Sequence, residues 1–185
     1  MKVWTTLLIL LAIVIASAAL FIYSGVYNVA ATQPHTQFGY WLFTTVRDHS
    51  IDKHAHDLNP PNLTDSSMIE SGARHYSSTC AVCHGAPGEE LSEIAKGLNP
   101  PPPELDKGHI QKKYADAELY WIVAHGIRMT GMPAFGPTHN EKDLWAIVAF
   151  IKELPEIKPE KYESLSESGK HKRSATEDHS GQDRK

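Results

Sequence analysis

Cys80-Ala81-Val82-Cys83-His84-Gly85 holds the only two cysteines of the 185-residue chain, and a histidine follows the second directly. C-x-x-C-H is the spacing of a c-type haem attachment site. The two thiols add across the haem vinyl groups as thioethers, and the adjacent histidine becomes an axial ligand of the iron. One short turn thus supplies both covalent bonds and one of the two axial bonds. Other chemistries of a cysteine pair fit this chain less well. A thioredoxin-like dithiol needs a βαβ setting, and nothing around residue 80 alternates like a strand. A zinc site needs further ligands, and there is no second cysteine pair. A disulfide between Cys80 and Cys83 would close a very small loop. One covalent haem c on Cys80, Cys83 and His84 is expected.

The second axial ligand is sought downstream. Gly126-Ile127-Arg128-Met129-Thr130-Gly131-Met132-Pro133-Ala134-Phe135-Gly136-Pro137 contains two methionines. A thioether is a soft ligand suited to haem iron, and His/Met ligation raises the reduction potential. Gly131 and Pro133 free and then fix the backbone around Met132, so its side chain can be aimed. Met129 lacks that framing and reads as packing. His84 and Met132 are therefore the expected iron ligands. His125 is a remote alternative to Met132.

The N-terminus names a compartment. Between Lys2 and Arg47 there is no Asp, Glu, Lys or Arg, and the 20 residues Trp4 to Tyr23 are apolar apart from Thr5, Thr6 and Ser17. About 20 such residues cross a hydrocarbon core as a helix. A cleavable signal peptide competes with this reading, with Ala16-Ser17-Ala18 or Val29-Ala30-Ala31 as the cleavage site. The first of these is followed by more apolar chain, and the second lies far beyond the usual core length. An uncleaved single-pass anchor, with the lipid bilayer contacted through residues 4–23, is favoured. Lys2 favours an inside N-terminus. Haem is attached on the outer face of energy-transducing membranes, so both motifs place the domain on the periplasmic side of an inner membrane.

Four parts follow along the chain: an anchor over 1–30, a connecting segment over 31–65, a haem domain over 66–155 and a polar, mostly disordered tail over 156–185. The tail is too poor in apolar residues to offset ordering entropy, although Tyr162 and Leu165 can dock. The connecting segment carries Phe38, Tyr40, Trp41, Leu42, Phe43 and Val46, and a helix from about Gln37 to His56 is plausible. Its aromatics suit a lipid–water interface, a partner subunit or packing on the haem domain. His49, His54 and His56 lie among Asp48, Asp52 and Asp57, and read as a solvated face rather than a second metal site. Helices are predicted over Ser67–Cys80, Asp116–His125 and Asn140–Leu154, the last opened by a capping box of Thr138 and Glu141. Trp145 or Phe150 is expected against the Gly72–Tyr76 face. Between the first two helices lies a long irregular loop with Pro100-Pro101-Pro102-Pro103, an extended run without donors.

The residues Gly72 to Gly85, the proline segment, Gly131-Met132-Pro133-Ala134-Phe135-Gly136 and the aromatic C-terminal helix together resemble the class I c-type cytochromes. The resemblance covers roughly residues 66–155. It implies an all-α fold, with helices and loops wrapped around one haem, here preceded by an N-terminal transmembrane helix. It implies His84 as proximal and Met132 as distal ligand. A proline carbonyl in the middle loop, here Pro101 or Pro102, would accept the proximal imidazole N–H.

The expected function is one-electron transfer, with membrane-bound oxidoreductases of a respiratory or similar chain as donor and acceptor. The alternative is a permanent cytochrome c subunit of a larger membrane oxidoreductase. A haem sensor or peroxidase would need an exchangeable sixth ligand. No catalysis by the chain itself is expected. The formal net charge is −4, and the stretch 66–155 carries 8 Lys+Arg against 11 Asp+Glu. No nucleic-acid partner is expected, and Lys112, Lys113 and Arg128 form at most a local basic patch.

Overall fold

The computed structural model describes residues 2–166, which are helical or irregular with no strand among them. The chain divides into two compact units, 1–34 and 35–185. In the first, α1 spans Lys2–Tyr23 with no residue buried. Its 22 residues rise about 33 Å at 1.5 Å each, enough to cross a bilayer core. Thr5 and Thr6 donate their hydroxyls to the Lys2 carbonyl, which satisfies them within the helix.

The second unit is built on two crossing helices. α3 spans Ser66–His75, and α8 spans Glu141–Glu153. Asp65 caps α3 by accepting from the Ser67 and Met68 amides at 2.8 and 3.1 Å. The two helices meet at Gly72, where a Cβ would lie 1.9 Å from the Ala146 carbonyl oxygen and 2.7 Å from Phe150 Cβ. Only glycine allows this approach, because any side chain would have to displace backbone. Phe150, rather than Trp145, meets this face: its ring lies 5.2 Å from that of Tyr76. Trp145 instead stacks on Tyr120 at 4.2 Å, which ties α8 to α7, spanning Asp116–His125. The cap of α8 differs from the predicted box. Asn140 accepts from the Asp143 amide at 3.0 Å, two residues later than Thr138 would.

The predicted continuous helix to Cys80 is interrupted. A π turn occupies Tyr76–Cys80, and one α turn, α4, follows over Ala81–His84. The sequence cause is Ser77-Ser78-Thr79. Ser78 and Thr79 both donate to the His75 carbonyl, at 3.1 and 2.6 Å, and Ser77 donates to that of Arg74. Hydroxyls that take up helix carbonyls weaken the i→i−4 ladder. The extra residue in the turn then leaves the Ala81 amide bonded to the Tyr76 carbonyl.

The long loop also has structure. It contains α5, Glu93–Gly97, a 3-10 turn at Leu105–Lys107, and α6, His109–Lys113. Gln111 Nε2 donates to the carbonyls of Leu105 and Ile151 at 2.7 and 2.8 Å, which stitches this loop to α8. After α8, residues 159–166 are helical, with Tyr162 and Leu165 buried in the core. The packed unit thus runs past residue 155. The remainder of the expected tail, 167–185 with His171 and His179, lies outside the described residues.

α2 spans Gln37–Ala55 and is divided in two. Ile51 and Ala55 are buried, and Ile51 joins the core. The rings of Phe38, Tyr40, Trp41 and Phe43 are exposed, so packing on the haem domain is not their role. Asp48 holds the buried half in place. It accepts from Arg47 Nε, Lys113 Nζ and the Tyr114 hydroxyl at 2.8, 2.7 and 2.7 Å. Lys113, one of the three cations of the expected basic patch, is therefore an ion-pair partner. Burial pushes the Asp48 carboxyl up, but the Lys113, Tyr114 and Arg47 hydrogen bonds outweigh it and hold the carboxyl below its usual range.

A depressed folded pKa contributes stability that is present above the unfolded value, about 4, and is lost as pH falls through the folded value. Asp48→Asn should therefore lower stability by on the order of 1 kcal/mol at neutral pH. The deficit should shrink below about pH 4. Denaturant midpoints of the two proteins at neutral and acid pH check this, and a deficit independent of pH would remove the charge from the account.

Candidate functional site

The π turn and α4 deliver Cys80, Cys83 and His84. Cys80 is buried and Cys83 partly so, and both are free thiols. Burial pushes the Cys80 thiol up, so it is neutral at physiological pH. Gly85 ends the turn at φ 76°, and its amide bonds back to the Ala81 carbonyl at 2.9 Å. The buried Tyr76 hydroxyl donates to the Gly85 carbonyl at 2.8 Å, so the turn is closed from the α3 side. Desolvation keeps that hydroxyl far above its ordinary pKa, always a donor. The sequence placed Tyr76 on the helix face expected to meet Trp145 or Phe150, with no signal of its hydrogen bond to the attachment turn.

The imidazole of His84 is oriented by the proline run. Its Nδ1 lies 2.8 Å from the Pro103 carbonyl oxygen, which can only accept, so Nδ1 carries the proton. The acceptor is Pro103, not Pro101 or Pro102: a run of four similar carbonyls gave no local signal of register. Desolvation lowers the His84 pKa, and the Pro103 bond only partly offsets it. The ring is thus neutral, with Nδ1 committed and the Nε2 lone pair directed away from that bond. This is the arrangement of a metal-ligating histidine, whose second-shell acceptor fixes both tautomer and ring plane.

The methionine loop faces the same region. Its end is tied back to the C-terminus of α7, since the amides of Phe135 and Gly136 donate to the Val123 and Ala124 carbonyls at 3.1 and 2.9 Å. Inside it, the Ile127 amide donates to the Met132 carbonyl at 3.2 Å, and the Met132 amide donates to Thr130 Oγ1 at 3.1 Å. Gly126 has φ 65°, and a Cβ there would sit 2.6 Å from the Pro133 carbonyl carbon. Glycine is required twice over, by conformation and by contact. A Cβ on Gly131 would meet Leu98 Cδ2 at 2.6 Å, so this loop closes on the segment that leads into the prolines. The two methionines separate: Met132 is partly buried, whereas Met129 is 91% exposed with φ 63°.

Three separate stretches, 80–85, 98–103 and 126–136, are therefore brought together. Two unpaired thiols three residues apart, a neutral imidazole with one free nitrogen, and a thioether in a pinned loop form a donor set that fits a covalently held haem. Four other histidines among the described residues make ring contacts of their own. His54 lies 5.7 Å from Trp121 between ring centres, and His125 lies 4.9 Å from the same indole. His75 faces His139 at 5.1 Å. Among the described residues, no group of three or more His, Cys, Asp or Glu could hold a metal ion.

Residues 67–151 match the family model described as "Cytochrome C oxidase, cbb3-type, subunit III". No curated protein matches the chain. Among solved structures, the c-type cytochrome XoxG from Methylobacterium extorquens AM1 is similar at 24% identity, with a TM-score of 0.37, over 55% of this chain and 66% of that one. The chain thus spans just under two thirds of that protein's length. The helical fold and the attachment turn agree with the family match, which supports a c-type cytochrome domain over residues 67–151.

The pinning of the methionine loop is testable. Gly126→Ala should lower stability by roughly 2 kcal/mol or more, from the left-handed backbone and the contact with Pro133. Hydrogen exchange should quicken at the amides of Ile127, Phe135 and Gly136. Unchanged exchange at these three would mean that the loop is held by something else.

Proposed function

We propose that this protein is a membrane-tethered one-electron carrier with a single haem c, held by Cys80 and Cys83 and ligated by His84 and Met132, in a respiratory or similar chain. The observation that carries this reading is the hydrogen bond from His84 Nδ1 to the Pro103 carbonyl. It leaves Nε2 as the only ligating atom of the ring, in the residue directly after Cys83 and four after Cys80. The bound haem supplies the iron couple that alternates between ferrous and ferric states. The residues do the rest. Cys80 and Cys83 fix position, and His84 presents a neutral donor of set orientation. Met132 would offer its thioether to the iron from a loop that Gly126, Thr130 and the α7 carbonyls hold still. With His84 and Met132 both holding the iron, the group would serve electron transfer and not substrate binding. The buried face of α8 and the glycine crossing with α3 resist rearrangement between oxidation states. α1 serves as a retained single-pass anchor in the inner membrane, with the haem domain on the outer face. Tethering raises its effective concentration toward membrane-bound donors and acceptors.

A second reading is favoured by the family match itself, whose description names an oxidase subunit. In it the same chemistry is carried out within a permanent complex. Purification in mild detergent separates the two, since a partner at fixed stoichiometry would favour the subunit and an isolated chain the carrier.

Oxidised and reduced absorption spectra test the ligation. A low-spin c-type spectrum is expected, with the weak far-red band of ferric haem ligated by methionine and no shift under carbon monoxide. Met132→Ala should abolish that band, lower the reduction potential and admit carbon monoxide, while Met129→Ala should change none of these. An unchanged potential in Met132→Ala would defeat the assignment. Cys80→Ser combined with Cys83→Ser should abolish haem staining after denaturation, and retained stain would contradict covalent attachment at this turn.

A further inference from the structure

The N-terminal half of α2 carries an exposed apolar surface that the electron-transfer reading leaves unused. Phe38, Tyr40, Trp41, Phe43 and Val46 are between 58% and 69% exposed, while Ile51 and Ala55 on the same helix are 1% and 2% exposed. At about 100° per residue, Phe38, Tyr40, Trp41 and Phe43 point near 0°, 200°, 300° and 140° around the axis. Leu42 and Val46 fall in the widest remaining gap. The apolar side chains therefore surround the helix, and no single stripe faces a groove.

That distribution decides between occupants. A helix bound in the groove of a protein shows anchors at i, i+3, i+4 and i+7 and keeps its outer face polar. A lipid–water interface contacts a helix from more than one side, and it enriches for Trp and Tyr, whose rings combine an apolar body with a polar tip. The polar residues of this half, Gln37, Thr44 and Thr45, are uncharged, and Thr44 spends its hydroxyl on the Tyr40 carbonyl at 2.7 Å. Charge stops abruptly on the other side. From Val3 to Val46 there is no Asp, Glu, Lys or Arg, and Arg47 and Asp48 open the charged half at the point where the helix becomes clamped to the domain. The uncharged run thus begins in the membrane-length helix α1 and continues without a break through 24–36 into α2.

We infer that residues 37–46 of α2 form a second membrane contact, immersed in the lipid headgroup region and the first carbons beneath it. The rigid clamp of Asp48 with Lys113 and Tyr114 passes that contact to the haem domain, so the domain is held at a set orientation to the bilayer instead of swinging on 24–36. This inference rests on the reading of α1 as a retained span.

The test uses the full-length holoprotein in vesicles of phosphatidylethanolamine and phosphatidylglycerol, with no other protein present. Phe38→Cys, Tyr40→Cys, Trp41→Cys and Phe43→Cys are spin-labelled one at a time. Lys53→Cys, on the charged half, is the control. Collision with oxygen, which partitions into lipid, is compared with collision with a water-soluble nickel chelate. A severalfold higher oxygen-to-nickel ratio at all four sites than at Lys53 is expected. A ratio equal to that of Lys53 overturns the contact and returns the surface to solvent or to a protein partner. Low collision with both reagents at one face overturns it in favour of a second copy of this chain. Failures of the supporting readings are read separately. Intact mass shows whether residues 2–23 are retained, and labelling of the unsubstituted protein would show that Cys80 and Cys83 are not bound to haem.

Discussion

The hydrogen bond between His84 Nδ1 and the Pro103 carbonyl is the constraint on which the site depends. An imidazole has two nitrogens and two tautomers, and a ligand must present one of them unprotonated in a fixed direction. A carbonyl can only accept, so this contact settles the tautomer and the ring plane together. Prolines suit the acceptor role. They hold an extended backbone and donate nothing that would compete for the carbonyls. Tyr76 plays the matching part on the other side, holding the end of the attachment turn through the Gly85 carbonyl. The turn is thus fixed from the loop and from the helix at once.

Those two contacts need a scaffold that does not yield. The crossing of α3 and α8 at Gly72 brings backbone against backbone, and buried residues from Leu144 to Ile151 fill the space beside it. Close-packed interiors transmit displacement instead of absorbing it. The methionine loop takes its rigidity from a different source, the carbonyls at the end of α7 and the left-handed Gly126. A centre held from both sides by such elements suits electron transfer, where the protein contributes most by changing little between two charge states.

α2 shows how one helix serves two environments. Its second half is part of the folded unit because Ile51 and Ala55 are buried and Asp48 gathers three donors from its own helix and from the α6–α7 corner. Its first half has the cap of a helix, with Thr36 accepting from the Gly39 amide, but its aromatic rings are exposed. The boundary falls at Arg47, where the sequence changes from uncharged to charged.

The candidate donors of the site were legible because the motifs that carry them are local. C-x-x-C-H specifies thioethers and an axial histidine within five residues, and Gly-Met-Pro frames a thioether without reference to anything distant. Helix existence was legible for the same reason: periodic apolar positions and stop residues placed α7 and most of α3 and α8. What the sequence left open depended on distant partners. The choice of Pro103 among four equivalent carbonyls is made by where α4 comes to rest against the loop. The π turn at Tyr76–Cys80 reflects hydroxyls competing for helix carbonyls, a balance that packing decides. The cap at Asn140, the meeting of Phe150 with Tyr76, and the burial of Tyr162 and Leu165 are all set by how α8 crosses α3. Residue types by themselves determined which atoms can bind a haem. Only the tertiary structure decided which of them are oriented, because orientation is fixed by contacts between parts of the chain that are far apart in sequence.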